Sequence, residues 1–210
     1  MAHKTKTPEI EQDTKERLLK AAEEVFAEKG YSGATVKEIA DRAGVNISLI
    51  SYHFNGKEGV LRASVERFGR ERLQDARNYL TPPENVEDMK AKLRLWIIQF
   101  LRVHVEQGNV CAILHRENLD QNPILWEVFE STFLKSYEAV VKFFEAGKKK
   151  GIVKKEVDAV IAAGMVFGSI IHMGKGQQIQ EKWMGISIKN EKYRAQAAEQ
   201  LVSMLVNGIA

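Results

Sequence analysis

Between Thr35 and Leu61 the chain reads TVKEIADRAGVNISLISYHFNGKEGVL, and this stretch constrains the fold more than any other. Thr35-Val36-Lys37-Glu38 has the form of a capping box, in which Thr35 bonds the Glu38 amide and Glu38 reaches back. Ile39, Ala40 and Ala43 give a short helix its buried face. Gly44 stands where a tight helix-to-helix turn needs positive φ, and Val45 plugs that turn into a core. Asn46 suits the N-cap of the next helix. There Ile50 and Phe54, four apart, face inward, while Ile47, Ser48, Ser51 and Tyr52 face outward and His53 lies toward the helix end. Asn55-Gly56-Lys57-Glu58 reads as a second capping signal, opening a long helix to about Tyr79. An amphipathic helix over 14–29, with Leu18, Leu19, Ala22, Val25 and Phe26 on one face and Gly30 as its stop, precedes them. The result is a three-helix unit of helix-turn-helix type, a form that lays its last short helix in the DNA major groove.

Charge supports that reading locally rather than in bulk. The 210 residues carry 31 Lys and Arg against 28 Asp and Glu, a net charge of only +3. Between Arg42 and Lys57 there is no acid, and the tip His3-Lys4-Thr5-Lys6 is basic. Acids are thus kept off the surface that meets phosphates.

At these residues the chain resembles the DNA-binding domain of the tetracycline-repressor (TetR) family of bacterial transcription regulators. Thr35, Ile39, Ala40, Ala43, Gly44, Val45, Tyr52, His53, Phe54, Lys57, Glu58 and Leu61 carry the resemblance, over roughly residues 14–62. AGVN followed by YHF and KE at these offsets is a specific pattern. The resemblance implies that Thr35, Tyr52, His53 and Lys57 contact the DNA backbone. Asn46, Ile47, Ser48, Leu49 and Ser51 are then the base-reading candidates. Many members hold a tyrosine where this chain has Ser51. With no arginine in the recognition helix, bidentate guanine readout gives way to apolar contacts such as Ile47 on a thymine methyl.

Beyond residue 80 no strand pattern, repeat or low-complexity segment is found. Helices are expected over 85–107, 109–119, 123–150, 156–174 and 190–207. Turn signals stand at Gln121-Asn122-Pro123 and at Gly174–Gly176; Asn122-Pro123 is read as an N-cap and first helical position, and 175–189 as a loop or an irregular helical piece. The fold class is therefore all-α, about nine helices, with a DNA-binding head over 10–62 and a helical effector-binding and dimerisation body over 63–210. The family resemblance implies a small-molecule effector pocket in that body, for which Trp96, Phe100, His115, Trp126, Phe133, Phe167 and His172 are the candidates. It also implies a homodimer built on the last two helices. Ala159, Ala163, Gly164 and Gly168 on one, and Ala198, Leu201, Val202 and Leu205 on the other, are the candidate contacts.

Nothing in the chain points to catalysis. Cys111, His115 and His104 fall at helical spacings that a zinc or nickel ion can use, yet a buried small cysteine and part-exposed histidines are the expected reading. There is no nucleophile motif and no phosphate loop, and no cofactor is expected. One cysteine fits a reducing cytoplasm, the start lacks a signal-peptide core, and no apolar run reaches the roughly 18 residues that cross a bilayer. The expected function is a DNA-binding transcription regulator, acting as a repressor on a palindromic operator and released by a small molecule. The alternative is a DNA-binding regulator controlled by a protein partner.

Overall fold

The computed structural model describes residues 8–117 and 122–209. The basic tip His3–Lys6 and the turn residue Gln121 lie outside them. Among the described residues the chain forms nine helices and no strand. They are α1 (Pro8–Gly33), α2 (Val36–Ala43), α3 (Ser48–Phe54), α4 (Lys57–Tyr79), α5 (Val86–Glu106), α6 (Gly108–Arg116), α7, α8 (Ala159–Met184) and α9 (Glu191–Ile209). Helix α7 is continuous through Trp126–Val128, a π-helical stretch Phe129–Leu134, and Lys135–Lys149.

The residues gather into two compact units. One comprises residues up to Phe68 together with Asn109–Phe129; the other comprises Gly69–Gly108 and Glu130 onward. The first unit buries Leu18, Ala22, Val25, Phe26, Ile39, Ile50, Leu61 and Val65. Helix α1 starts at Pro8, earlier than its apolar stripe suggests, and breaks at Gly30 (φ 73°, ψ 171°). That conformation is open to glycine and strained for other residues. The second unit packs α5 against α8 and α9, and α7 against α8. Its core includes Leu93, Trp96, Ile97, Leu101, Phe143, Phe144, Val166, Ile170, Val202 and Val206.

Three expectations are corrected here. Of residues 175–189, only the last five form a loop: α8 runs unbroken to Met184 and the chain turns at Gly185 (φ 66°). Gly174 is not a breaker but a contact, since a Cβ there would fall 2.1 Å from His104 Cδ2. Asn122 does not cap a helix starting at Pro123. Its Oδ1 accepts from the Ile124 amide at 3.0 Å, an Asx turn, and the helix begins at Trp126. Finally, Ala159–Met184 is long and apolar enough to span a bilayer by length and composition alone, although charged and small residues interrupt its apolar runs. Its inner face, Ala159, Ala162, Ala163, Val166 and Ile170, is core in this fold.

The same packing distributes the residues suggested for subunit contact. Ala159, Ala163, Ala198, Val202 and Leu205 are buried within the chain. Leu201 and Gly164 are half-buried, and Gly168 is exposed. What α8 leaves uncovered is another stripe, Ile161, Met165, Gly168, His172, Lys175 and Ile179. Its alternating four- and three-residue spacing keeps one seam along the helix. Trp183 continues the exposed apolar surface at 79% exposure.

Candidate nucleic-acid interface

The capping box forms as the sequence suggests. The Glu38 amide donates to Thr35 Oγ1 at 3.2 Å, and the Thr35 amide donates to Glu38 Oε2 at 3.1 Å. Lys29 also donates to Glu38. Lys29, followed by Thr35, holds the Glu38 carboxyl below the usual carboxylate range. A lowered folded pKa contributes stability that is present above the unfolded value, about 4.3, and lost as pH falls through the folded one. The head is therefore expected to melt at a constant temperature down to about pH 5 and progressively earlier below about pH 4. Glu38→Gln, followed by circular dichroism, should remove part of that acid slope; an unchanged slope would show that the box contributes nothing to it.

Gly44 takes the left-handed conformation (φ 65°, ψ 39°) that the turn requires. Sequence reading missed its brace. Arg17 Nη2 on α1 donates to the carbonyls of Ala43 at 2.6 Å and Gly44 at 3.1 Å. These are the carbonyls that the end of α2 leaves without helical donors. Asn46 Oδ1 accepts from the Ser48 amide at 2.9 Å, so its capping role holds, although the residue flanking α3 is Ile47. Asn55 closes α3 in the left-handed conformation (φ 61°) rather than opening α4.

Helix α3 turns Ile50 and Phe54 into the core. It leaves Ser48, Ser51 and Tyr52 exposed beside Asn46 and Ile47, with Tyr52 at 71% and Ile47 at 46% exposure. Leu49 is half-buried. His53 is half-buried too, edge-on to the Tyr52 ring at 4.8 Å. Thr35 is exposed at the start of α2. Lys57 behaves differently from a free surface lysine. Its Nζ donates to the carbonyls of Tyr31 at 2.8 Å and Ala34 at 2.9 Å, and lies 4.4 Å from the Tyr31 ring centroid. Of three ammonium donors two are committed inside the head, leaving one to face a phosphate. Lys57→Met, which keeps the aliphatic stem, is expected to destabilise the head by about 1–3 kcal/mol. Urea denaturation checks this; unchanged stability would mean that the two carbonyl bonds are worth nothing net.

Among the described residues no group of three His, Cys, Asp or Glu is placed to hold a metal ion. Cys111 is buried on α6. In the second unit, three of the suggested ligand-facing residues do converge. Trp96, Phe100 and Phe167 have ring centroids 5.3–5.9 Å apart and cross steeply, at 63–83°. Two residues that sequence reading did not place there join them. Tyr137 stacks on Phe167 at 5.4 Å, and His104 lies 5.4 Å from Phe100. His104 was within reach of the sequence, because 96, 100 and 104 repeat every four residues along α5. Burial is the main force lowering the His104 pKa, so its ring is neutral at pH 7. Phe133 and His172 belong to this unit, and His115 and Trp126 belong to the other.

Residues 18–64 match the family described as bacterial regulatory proteins, tetR family. These residues are a TetR-family DNA-binding domain. The chain's curated relatives include the HTH-type transcriptional regulator TtgR of Pseudomonas putida, 25% identical over 173 residues, covering 79% of this chain and 80% of TtgR. Among solved structures, FadR of Bacillus subtilis in complex with stearoyl-CoA superposes with a TM-score of 0.73 at 22% identity, covering 93% of this chain and 99% of that one. A complex of SmeT with triclosan gives a TM-score of 0.72 at 22% identity, covering 94% and 91%. SmeT is described as the repressor of a Stenotrophomonas maltophilia multidrug efflux pump. These likenesses establish the TetR fold over nearly the whole chain. With that domain the protein is a DNA-binding transcriptional regulator rather than an enzyme.

Proposed function

We propose that this TetR-family regulator is a cytoplasmic repressor that binds a palindromic operator as a twofold dimer and leaves it when a small molecule occupies the body. The functional division is a DNA-binding domain over 10–62 and an effector-binding, dimerising domain over 63–210. The observation that carries the reading is the paired display of two unsatisfied surfaces. One is the exposed Asn46–Ser48, Ser51, Tyr52 face of the head; the other is the exposed seam along α8, apolar at Ile161, Met165 and Ile179. Exposed apolar stripes of that length mark contact with another chain, and a symmetric pair presents two recognition helices to two half-sites. The effector part rests on the aromatic cluster around Trp96 and on the stearoyl-CoA and triclosan complexes of FadR and SmeT.

Ile47, Ser48 and Ser51 read base edges, while Tyr52 and Thr35 position the head on phosphate. Tyr52 is the clean test, because its side chain is exposed and its removal leaves the head's core intact. In a gel shift on the DNA upstream of the protein's own gene, Tyr52→Ala should weaken binding at least about tenfold, the scale of one good contact. Retained binding would remove Tyr52 from the interface. Stearoyl-CoA, triclosan and a broader compound set added to the wild-type complex test release. If none weakens it, control by a protein partner takes the place of a small-molecule effector.

A further inference from the structure

Trp96 is sealed in the core at 1% exposure and His104 is buried beside Phe100, while Phe100, Tyr137 and Phe167 stay half-buried. The Trp96 ring carries a polar atom into that core, and Nε1 is buried with no hydrogen-bond partner. An indole N–H is a donor only, and leaving one unmatched in an apolar setting costs about 1–3 kcal/mol. A phenylalanine would pack the same site without that cost. The other polar groups of the cluster are occupied. Tyr137 donates its hydroxyl to the Val160 carbonyl at 2.7 Å. His104 Nδ1 lies 3.0 Å from the Phe100 carbonyl. Arg72, whose charge bears on His104, is itself buried and held by Asp75 at 2.9 Å and Glu71 at 3.7 Å.

From this arrangement we infer that the body takes an uncharged aromatic ligand with one acceptor oxygen, which receives the Trp96 Nε1–H while its ring stacks among Phe100, Tyr137 and Phe167. This rests on the effector reading above and adds the chemical class to it. Steeply crossed rings at 5–6 Å present both faces and edges, which suit a further π-system. The Arg72 charge that bears on the cluster is already paired with Asp75 and Glu71, so a charged ligand group gains little there to offset its desolvation. A ligand oxygen restores the missing bond, so an analogue without it is rejected, as sites with a fixed donor reject such analogues.

Calorimetric titration of the full-length wild-type chain with 2-methoxynaphthalene and with its near-isostere 2-ethylnaphthalene isolates that one oxygen. The methoxy compound should bind about 5- to 100-fold more tightly, the range set by satisfying one buried donor. In Trp96→Phe the two should bind alike, with circular dichroism showing that the variant keeps its helix content. Phe167→Ala should weaken both compounds together. Equal affinities in the wild type would overturn the proposal without reference to any variant. If neither naphthalene binds and stearoyl-CoA releases operator DNA, the ligand class is wrong and the effector reading survives. If neither binds and no compound releases the DNA, both fall.

Discussion

Gly59→Ala is expected to unfold the head and abolish operator binding. Gly59 lies in the first turn of α4, three residues into a helix, where glycine is a poor choice on propensity alone. Its neighbour explains it. A Cβ built on Gly59 would fall 1.6 Å from the backbone carbonyl oxygen of Phe54 and 2.8 Å from its carbonyl carbon. A backbone atom at the end of α3 cannot swing aside as a side-chain tip does. The variant must separate α3 from α4, and overpacking of this severity costs about 3 kcal/mol or more. That displacement carries Tyr52 and Ser51 with it, so binding should fall at least about 100-fold, one decade for each 1.4 kcal/mol lost. Gly208→Ala is the matched control, since nothing lies within 4 Å of its Cβ position. It should be neutral or stabilising by up to about 1 kcal/mol. Denaturant melts and gel shifts on the pair decide the matter; a Gly59→Ala protein as stable as the wild type would mean that the α3–α4 joint yields at little cost.

The second large effect is expected at the seam on α8. Ile161 and Met165 are 64% and 59% exposed in the single chain, so charged substitutions there disturb no internal packing. Ile161→Glu with Met165→Glu should leave the melting of the isolated chain within about 0.5 kcal/mol of the wild type, as surface changes do. Two like charges facing their own symmetry mates in a dry interface should convert a dimer to monomers, read by light scattering behind a sizing column. Operator affinity should then drop by about 100- to 10,000-fold, because one head no longer raises the effective concentration of the other. A double variant that stays dimeric would move the contact to another face of the molecule.

Much of the head was legible in the sequence because its determinants are local. The Thr35–Glu38 box, the positive φ of Gly44 and the inward pair Ile50 and Phe54 each depend on residues within one or two turns. What escaped depends on approach through space. Arg17 reaches carbonyls 26 and 27 residues away. Gly59 and Gly174 are dictated by Phe54 and His104, which no spacing rule connects to them. Gly174 and Gly176 read as helix breakers, yet close packing can require glycine inside a helix as firmly as a turn does. In the body, the small and apolar faces of the last two helices were read as contacts with a second subunit. Period alone does not say whether such a face meets its own chain, and here Ala159, Ala163, Ala198, Val202 and Leu205 do. The aromatic cluster was half-visible: Trp96 and Phe100 share a face of α5, but Tyr137 reaches them through α7 and α8.

The ion pairs of the head bear on how this protein meets a polyelectrolyte. Arg42 is held by Glu28, Lys29 by Glu38, Arg67 by Glu16 and Glu23, Arg17 by turn carbonyls, and Lys57 by the Tyr31 and Ala34 carbonyls. Cations already engaged in this way are poor at displacing the ions condensed on a duplex. Each phosphate neutralised contributes about −0.9 to the slope of log affinity against log salt. In the proposed interface these engaged cations add little counterion release, and discrimination between sites rests on the fit of Ile47, Ser48 and Ser51 to the groove.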